Sequence, residues 1–430
     1  MDERFIVMSM SVRRFLSRLI LSILLLPNIV NAQQLLFTEI EKHSKENWTV
    51  SYQSPKAIKA IMFAISPDNS RLKRWQPISS EFILSYVNAT EIVTRKDGAS
   101  FTSVKLKLTP TYIHLPKNYA PFSPFSNGAM LLHSARFFAC PNLCTGNENL
   151  WAMAVKAPLN DTILADGKAH VGKTSWWDKN DGQKVYIGQQ HTSQNTSYIS
   201  IVDPKLALTV GKQLHDILPK MMSLLEESYG VLPDKPMLFA SFGETHDGNF
   251  GRQGGTLPNQ VFMHWYGSDT YQEQNPAATL WFFAHEAAHM YQNMVGKAKS
   301  PVDNWLHEGH AEMMAKKIML NLLPQFNAYV EKKIAYAEAQ CLEIISASSL
   351  AEQIEIGNYQ SLYDCGLYIF NTIERGYSGN DATETLWLAF MERSSIDNQV
   401  NSEMLLSLAD SNYGLSKEHT DNFRKLVGSD

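Results

Sequence analysis

The pattern of apolar and polar positions changes character near residue 200. Before it, β-branched and aromatic runs such as EFILSYVNATEIVT, SFTSVKLKLTPTYIHL and KVYIGQQ are cut by the turn signals SPDNS, KDG and NDG. No long helical period appears there, and residues 33–200 are expected to form a β-sandwich-like N-terminal domain. At Asp203-Pro204 a good N-cap residue precedes a good first helical residue. Apolar positions then recur at helical spacing to Tyr229, and Gly230 stops the run. Pro219 is expected to kink or split this helix. PMLFASFGET reads as a strand, and GGTLPNQVFMHW as a second with glycines at its entry. Asn275-Pro276 repeats the cap signature and opens a helix expected to end at Gly296. Ser300-Pro301 marks the entry to the next helix, NWLHEGHAEMMAKKIML, and helical patterns continue to Asp430. The expected fold class is α+β.

Composition adds boundaries. The 430 residues are 44% hydrophobic and 19% charged, which leaves room for two or three cores. The net charge of -5 and the lack of a basic stripe suggest no nucleic-acid partner. Arg13 and Arg14 flank FLSRLILSILLLPNIVNA, whose leucine-rich run is broken at Pro27 and followed by small residues up to Ala32. Residues 1–32 therefore read as a signal peptide, with an uncleaved anchor as the alternative. The mature chain is expected to be exported, periplasmic or secreted, with no stable membrane span. The four cysteines suit that compartment. Cys140 and Cys144 are close enough to close a small loop, and Cys341 and Cys365 would form the second pair.

The candidate chemistry lies in WFFAHEAAHMYQ, residues 281–292. Each helical residue turns about 100°, so His285 and His289 share a face and point two imidazoles at one ion. Glu286 projects beside that ion, where it can take a proton from water. This is the HExxH arrangement of zinc hydrolases. Eighteen residues separate His289 from Glu308 on the following helix. An antiparallel helix pair would return Glu308 to the histidines as the third ligand of one Zn2+. HExxHxxGxxH fails, because positions 292 and 295 are Gln292 and Val295. Glu312 is one turn from Glu308. It reads either as the acceptor for the outer nitrogen of a ligand histidine or as a solvated helix carboxylate. His307 and His310 lie around the helix from Glu308, packed or facing solvent.

HEAAH, an eighteen-residue gap and WLHEGHAE together resemble the gluzincin metallopeptidases. Within them they are most similar to the aminopeptidase N-like and glycyl aminopeptidase-like branches, over about residues 200 to 376. The resemblance implies a thermolysin-like catalytic domain over residues 201–325, with a helical C-terminal part over 326–430. It also implies a tyrosine that stabilises the tetrahedral intermediate, in a Y-x-K-G stretch. Here YDCG offers Tyr363, with Cys365 in place of Lys and Tyr359 one turn earlier as a second candidate. The family's G-x-M-E-N strand corresponds to Gly254-Gly255-Thr256-Leu257-Pro258-Asn259. Gly254, Gly255 and Asn259 survive as candidate substrate-binding positions, but the Glu that binds a free amino terminus does not.

Three functions follow. The first is an exported aminopeptidase-like enzyme acting on peptide or protein substrates. The second is an endopeptidase on the same zinc site, favoured by the missing anion. The third is a peptide-binding protein that keeps zinc without turnover, against which the intact Glu286 argues. Oligomeric state has no signature in the chain.

Overall fold

Before residue 190 the chain builds three sheets around one apolar core. A computed structural model describes residues 36–428, apart from 116–117, 180, 190–192, 195–197, 207, 246–247, 268–274, 293–297, 378, 380 and 398–399. The expected signal segment, 1–32, lies outside the described residues. The first sheet orders its strands Lys173–Asp178, Trp151–Lys156, Phe37–Lys42, Trp48–Ile58, Phe101–Leu108 and Trp75–Pro77. In Phe101–Leu108 the buried residues are Phe101, Val104, Leu106 and Leu108, so most of the strand shows the alternation of a half-covered sheet. A four-stranded and a five-stranded sheet complete the region. Their apolar faces meet around Trp48, Tyr52, Phe63, Trp75 and Phe137. Cys140 is bonded to Cys144.

The fourth sheet supports the candidate site. Ile199–Val202, Met237–Gly243 and Gln260–Tyr266 pair in parallel, and Gly251–Leu257 closes the sheet as an antiparallel edge strand. All residues of Met237–Gly243 and Gln260–Tyr266 are buried, as expected for strands covered on both faces. One side packs against Phe125, Leu131 and Tyr186 of the β-rich region through Phe239, Leu257 and Phe262.

Three local expectations are corrected. GGTLPNQVFMHW is not one strand but parts of two, joined by a tight turn in which Leu257 pairs with Gln260. Pro258 has no N–H to give a ladder, and Asn259 adopts φ 56°, a left-handed conformation that asparagine tolerates. The helix after Asp203 begins at Leu208. Asp203 instead accepts hydrogen bonds from Ser126 N at 2.7 Å and Lys205 N at 2.8 Å, pinning the β-rich region to the fourth sheet. Pro219 sits inside one helix, Leu208–Tyr229, without splitting it. Leu214, Leu218, Met221, Met222 and Leu225 are buried on either side of the proline, and tertiary packing holds the helix together.

Asn275 caps the helix Pro276–Tyr291 by accepting from Ala278 N at 3.2 Å. The expected end at Gly296 lies outside the described residues. Trp305–Leu322 packs on this helix, and Gln360–Gly376 packs on Trp305–Leu322. At the second crossing, a Cβ on Gly309 would stand 2.5 Å from the Gly366 Cα, so the two backbones are in direct contact. Cys341–Cys365 ties Gln360–Gly376 to Asn327–Ala347. Among the described residues no helix is long and apolar enough to cross a membrane.

Candidate active site

Helical spacing puts His285 and His289 on one face of Pro276–Tyr291, and the neighbouring helix brings Glu308 to them. His285 Nε2 and His289 Nε2 are 3.0 Å apart, and Glu308 Oε2 lies 3.2 Å and 3.3 Å from them. The outer ring nitrogens are engaged elsewhere. His285 Nδ1 faces Glu312 Oε1 at 3.1 Å, and His289 Nδ1 meets Gln292 Oε1 at 3.0 Å. The Gln292 amide is oriented by Nε2, which donates to the His307 carbonyl at 2.7 Å. The Glu312 carboxylate and the Gln292 oxygen each favour a proton on the Nδ1 they face, and both Nε2 atoms turn inward.

With both imidazoles neutral, two lone pairs and a carboxylate oxygen converge with no donor among them, and Glu308 Oε2 is buried without a hydrogen-bond donor. Such a set repels itself unless a cation sits inside it. Tetrahedral zinc at its usual bond lengths sets ligand atoms roughly 3.3 Å apart, so the three residues fit that ion. A second cluster with metal-ligand residue types, Cys140, Cys144 and Glu148, has its two sulfurs in a disulfide.

The carboxylates around the imidazoles favour positive charge at this spot, whether a proton or a metal ion. Burial opposes charge at Glu308, but the two imidazoles hold its pKa below the usual carboxylate range. Burial also opposes charge at His285, where Glu308 and Glu312 win and raise its pKa. Glu312 is buried, accepts from Trp281 Nε1 at 3.1 Å and pairs with Lys333 Nζ at 3.0 Å. His310 does not face solvent. Its Nδ1 meets Gln292 Nε2 at 3.1 Å and its Nε2 meets the Tyr229 hydroxyl at 2.8 Å, while burial pushes its pKa down. His307 packs edge-on against Trp387.

Glu286 leaves the histidine face and reaches the edge strand, where the Thr256 hydroxyl donates to its carboxylate. Tyr363 stacks on the His285 ring, with centroids 5.6 Å apart. Burial, then the carboxylates of Glu308 and Glu286, raise the Tyr363 pKa and keep the hydroxyl a donor. Tyr359 is 46% exposed and stands outside this group. Gly254 and Gly255 lie on the edge strand beside Thr256. Asn259 does not join them. It occupies the turn beyond the strand, with Nδ2 3.5 Å from Asp234.

No family model matches the sequence, and no curated protein matches it either. Solved structures do match. An aminopeptidase N family protein from Idiomarina loihiensis superposes with a TM-score of 0.61 at 10% identity, covering 91% of this chain and 76% of that one. The fold is that of the aminopeptidase N family. Yeast LTA4 hydrolase in complex with bestatin is also similar, with a TM-score of 0.51 at 11% identity. That match covers 90% of this chain and 66% of the yeast chain, so this chain spans just under two thirds of that protein.

On this aminopeptidase N fold several residues join the site without having been singled out in the sequence. Gln292 was legible as the i+3 neighbour of His289. Trp281, Lys333 and Thr256 had no local signal. Neither did Tyr119, which comes from the β-rich region, where the sequence shows no catalytic cluster. Its hydroxyl sits where a side chain on Gly255 would go. Burial, and next the charge of Glu286, raise its pKa to about 12.

Proposed function

We propose that the chain is a zinc-dependent, aminopeptidase-like metallopeptidase. The observation that carries this reading is the inward convergence of His285, His289 and Glu308 beside a glutamate tethered to an edge strand. His285, His289 and Glu308 would hold a zinc ion, which would supply a Lewis acid and lower the pKa of water to about 7. An extended peptide pairs with the backbone of Gly254 and Gly255. Glu286 takes the proton of the attacking water and later passes it to the leaving amine. Tyr363 donates its hydroxyl to the developing oxyanion. Glu312 and Gln292 keep the ligand imidazoles in the required tautomer. The two disulfides support export to an oxidising compartment.

A second reading, endopeptidase, is favoured by the edge strand GRQGGTL, which offers no carboxylate to a substrate ammonium. A panel of free and N-blocked peptides separates the two. The aminopeptidase reading expects free peptides to be cut and blocked ones spared. Efficient cleavage of blocked peptides selects the endopeptidase. The shared zinc reading expects one zinc per chain and activity that chelation removes and zinc restores. Purified protein without stoichiometric metal overturns it.

A further inference from the structure

A cavity of about 410 Å³ opens between the β-rich region and the edge strand, lined in part by Tyr119, His133, Arg136, Asp181, Gln253 and Gly254. It lies close to the proposed chemistry. Gly254 is two residues from Thr256, about 7 Å along a strand, and Thr256 holds Glu286. Successive side chains of a strand-paired peptide point to opposite faces. Every second substrate residue therefore faces the side on which this cavity opens.

Its polar groups are short of partners. Arg136 is 2% exposed; its Nη1 donates to the Ile65 carbonyl at 3.3 Å, but its Nε has no hydrogen-bond partner, and His133, 4% exposed, has none at Nδ1. Glu91, whose charge with that of Asp68 partly offsets the burial of Arg136, is held by Arg71 in a buried ion pair. Lys184, one strand away from His133, is buried against the rings of Phe262 and Tyr119, 4.3 Å and 5.2 Å from its ammonium. Among the described residues no carboxylate stands within ion-pair distance of Arg136 or Lys184. Burial lowers the pKa of both, to about 9 for Arg136 and about 7 for Lys184, the sign of cations without sufficient counter-charge. The one acid lining the cavity, Asp181, is exposed at the surface. A buried guanidinium and imidazole, each with one unpartnered nitrogen, beside a lysine with no carboxylate at ion-pair distance, form a receptor for an anion.

We propose that this cavity is a specificity subsite for a substrate carboxylate, so that the enzyme prefers peptides with Glu or Asp beside the scissile bond. The inference rests on the peptidase reading for the identity of the ligand, but binding tests it separately. The same chemistry could come from an acidic side chain or from the substrate's terminal carboxylate, and the peptides distinguish these.

Zinc-loaded Glu286→Gln protein is titrated with fluorescent peptides carrying Glu, Gln or Leu at each position flanking the cleavage site, as free acids and as C-terminal amides. One flanking Glu is expected to bind roughly 10- to 100-fold more tightly than its Gln counterpart, the range for a charge-assisted hydrogen bond. A preference that follows the free C-terminus instead assigns the cavity to the chain end. A Glu-to-Gln ratio within about twofold at every position, with no effect of the free terminus, overturns the proposal. Arg136→Gln is expected to abolish the preference. Asp181→Asn, at an exposed position, is expected to enlarge it and serves if Arg136→Gln does not fold. A carboxylate preference unchanged in both variants also overturns the proposal. Wild-type enzyme that binds acidic peptides selectively yet cleaves no peptide overturns the peptidase reading and leaves the subsite standing. Wild-type enzyme that cleaves neutral and acidic peptides alike overturns the subsite alone.

Discussion

The hydroxyl of Thr256 donates to the carboxylate of Glu286. This contact joins the proposed base to the strand on which the substrate is to lie, so the base and the peptide share one frame of reference. Thr256→Val removes the donor while keeping the shape. It is expected to lower kcat about tenfold with zinc content unchanged, and Thr256→Ser is expected to restore most of the loss. Steady-state kinetics on the three proteins check this. An unchanged kcat in the valine variant removes the positioning role.

Glu286→Gln keeps the volume of the side chain and loses its basicity. Zinc is expected to stay bound while turnover drops roughly 10²–10⁴-fold. Metal analysis alongside single-turnover rates checks it, and a fully active variant would move the base elsewhere.

Tyr363→Phe is expected to lower kcat on the order of 10²-fold, the cost of one oxyanion donor, with little change in zinc affinity. Tyr359→Phe is the control, because Tyr359 is 46% exposed and apart from the ligand group. Equal losses in the two variants would contradict the assignment.

Glu312→Ala leaves the His285 outer nitrogen, Trp281 Nε1 and Lys333 without their shared acceptor. Zinc affinity is expected to fall 10- to 100-fold. Competition with a chelator of known affinity measures the change, which should exceed that for a surface carboxylate such as Glu343.

Lys184 carries a pH signature. Burial lowers its folded pKa to about 7 from 10.5. Between those values the unfolded chain binds the extra proton, so stability rises with pH across the window. The penalty is complete below pH 7 and gone above about pH 10.5. Its full size is on the order of 5 kcal/mol. Lys184→Met keeps the contacts with Phe262 and Tyr119 and removes the titration. Urea unfolding at pH 7 and 9.5 is expected to show the variant more stable at pH 7 and the two proteins closer at pH 9.5. A parallel pH dependence would contradict the assignment.

What could be read from the sequence follows the range of each physical signal. His285, His289 and Glu286 belong to one helical turn, so their spacing alone predicts their directions. Glu308 and Glu312 needed only one further assumption, that the next helix folds back. Thr256 and Tyr119 meet the site through sheet register and packing between distant segments, which leave no periodic trace. The hairpin at Pro258-Asn259 was missed because apolar residues on both sides continue the same strand texture. Asn259 stood in a family pattern, yet its backbone serves the turn. Pro219 does not split its helix, since buried leucines and methionines on either side outweigh a local helix breaker.

The backbone contact between Gly309 and Gly366 sets the clearance between the helix that carries Glu308 and the helix that carries Tyr363. One methyl group at either position acts as a shim. It would wedge the tyrosine away from the carboxylate while leaving every reactive group chemically intact. Such a protein could load its metal normally and still turn over slowly, and the lesion would be invisible to any inventory of active-site side chains.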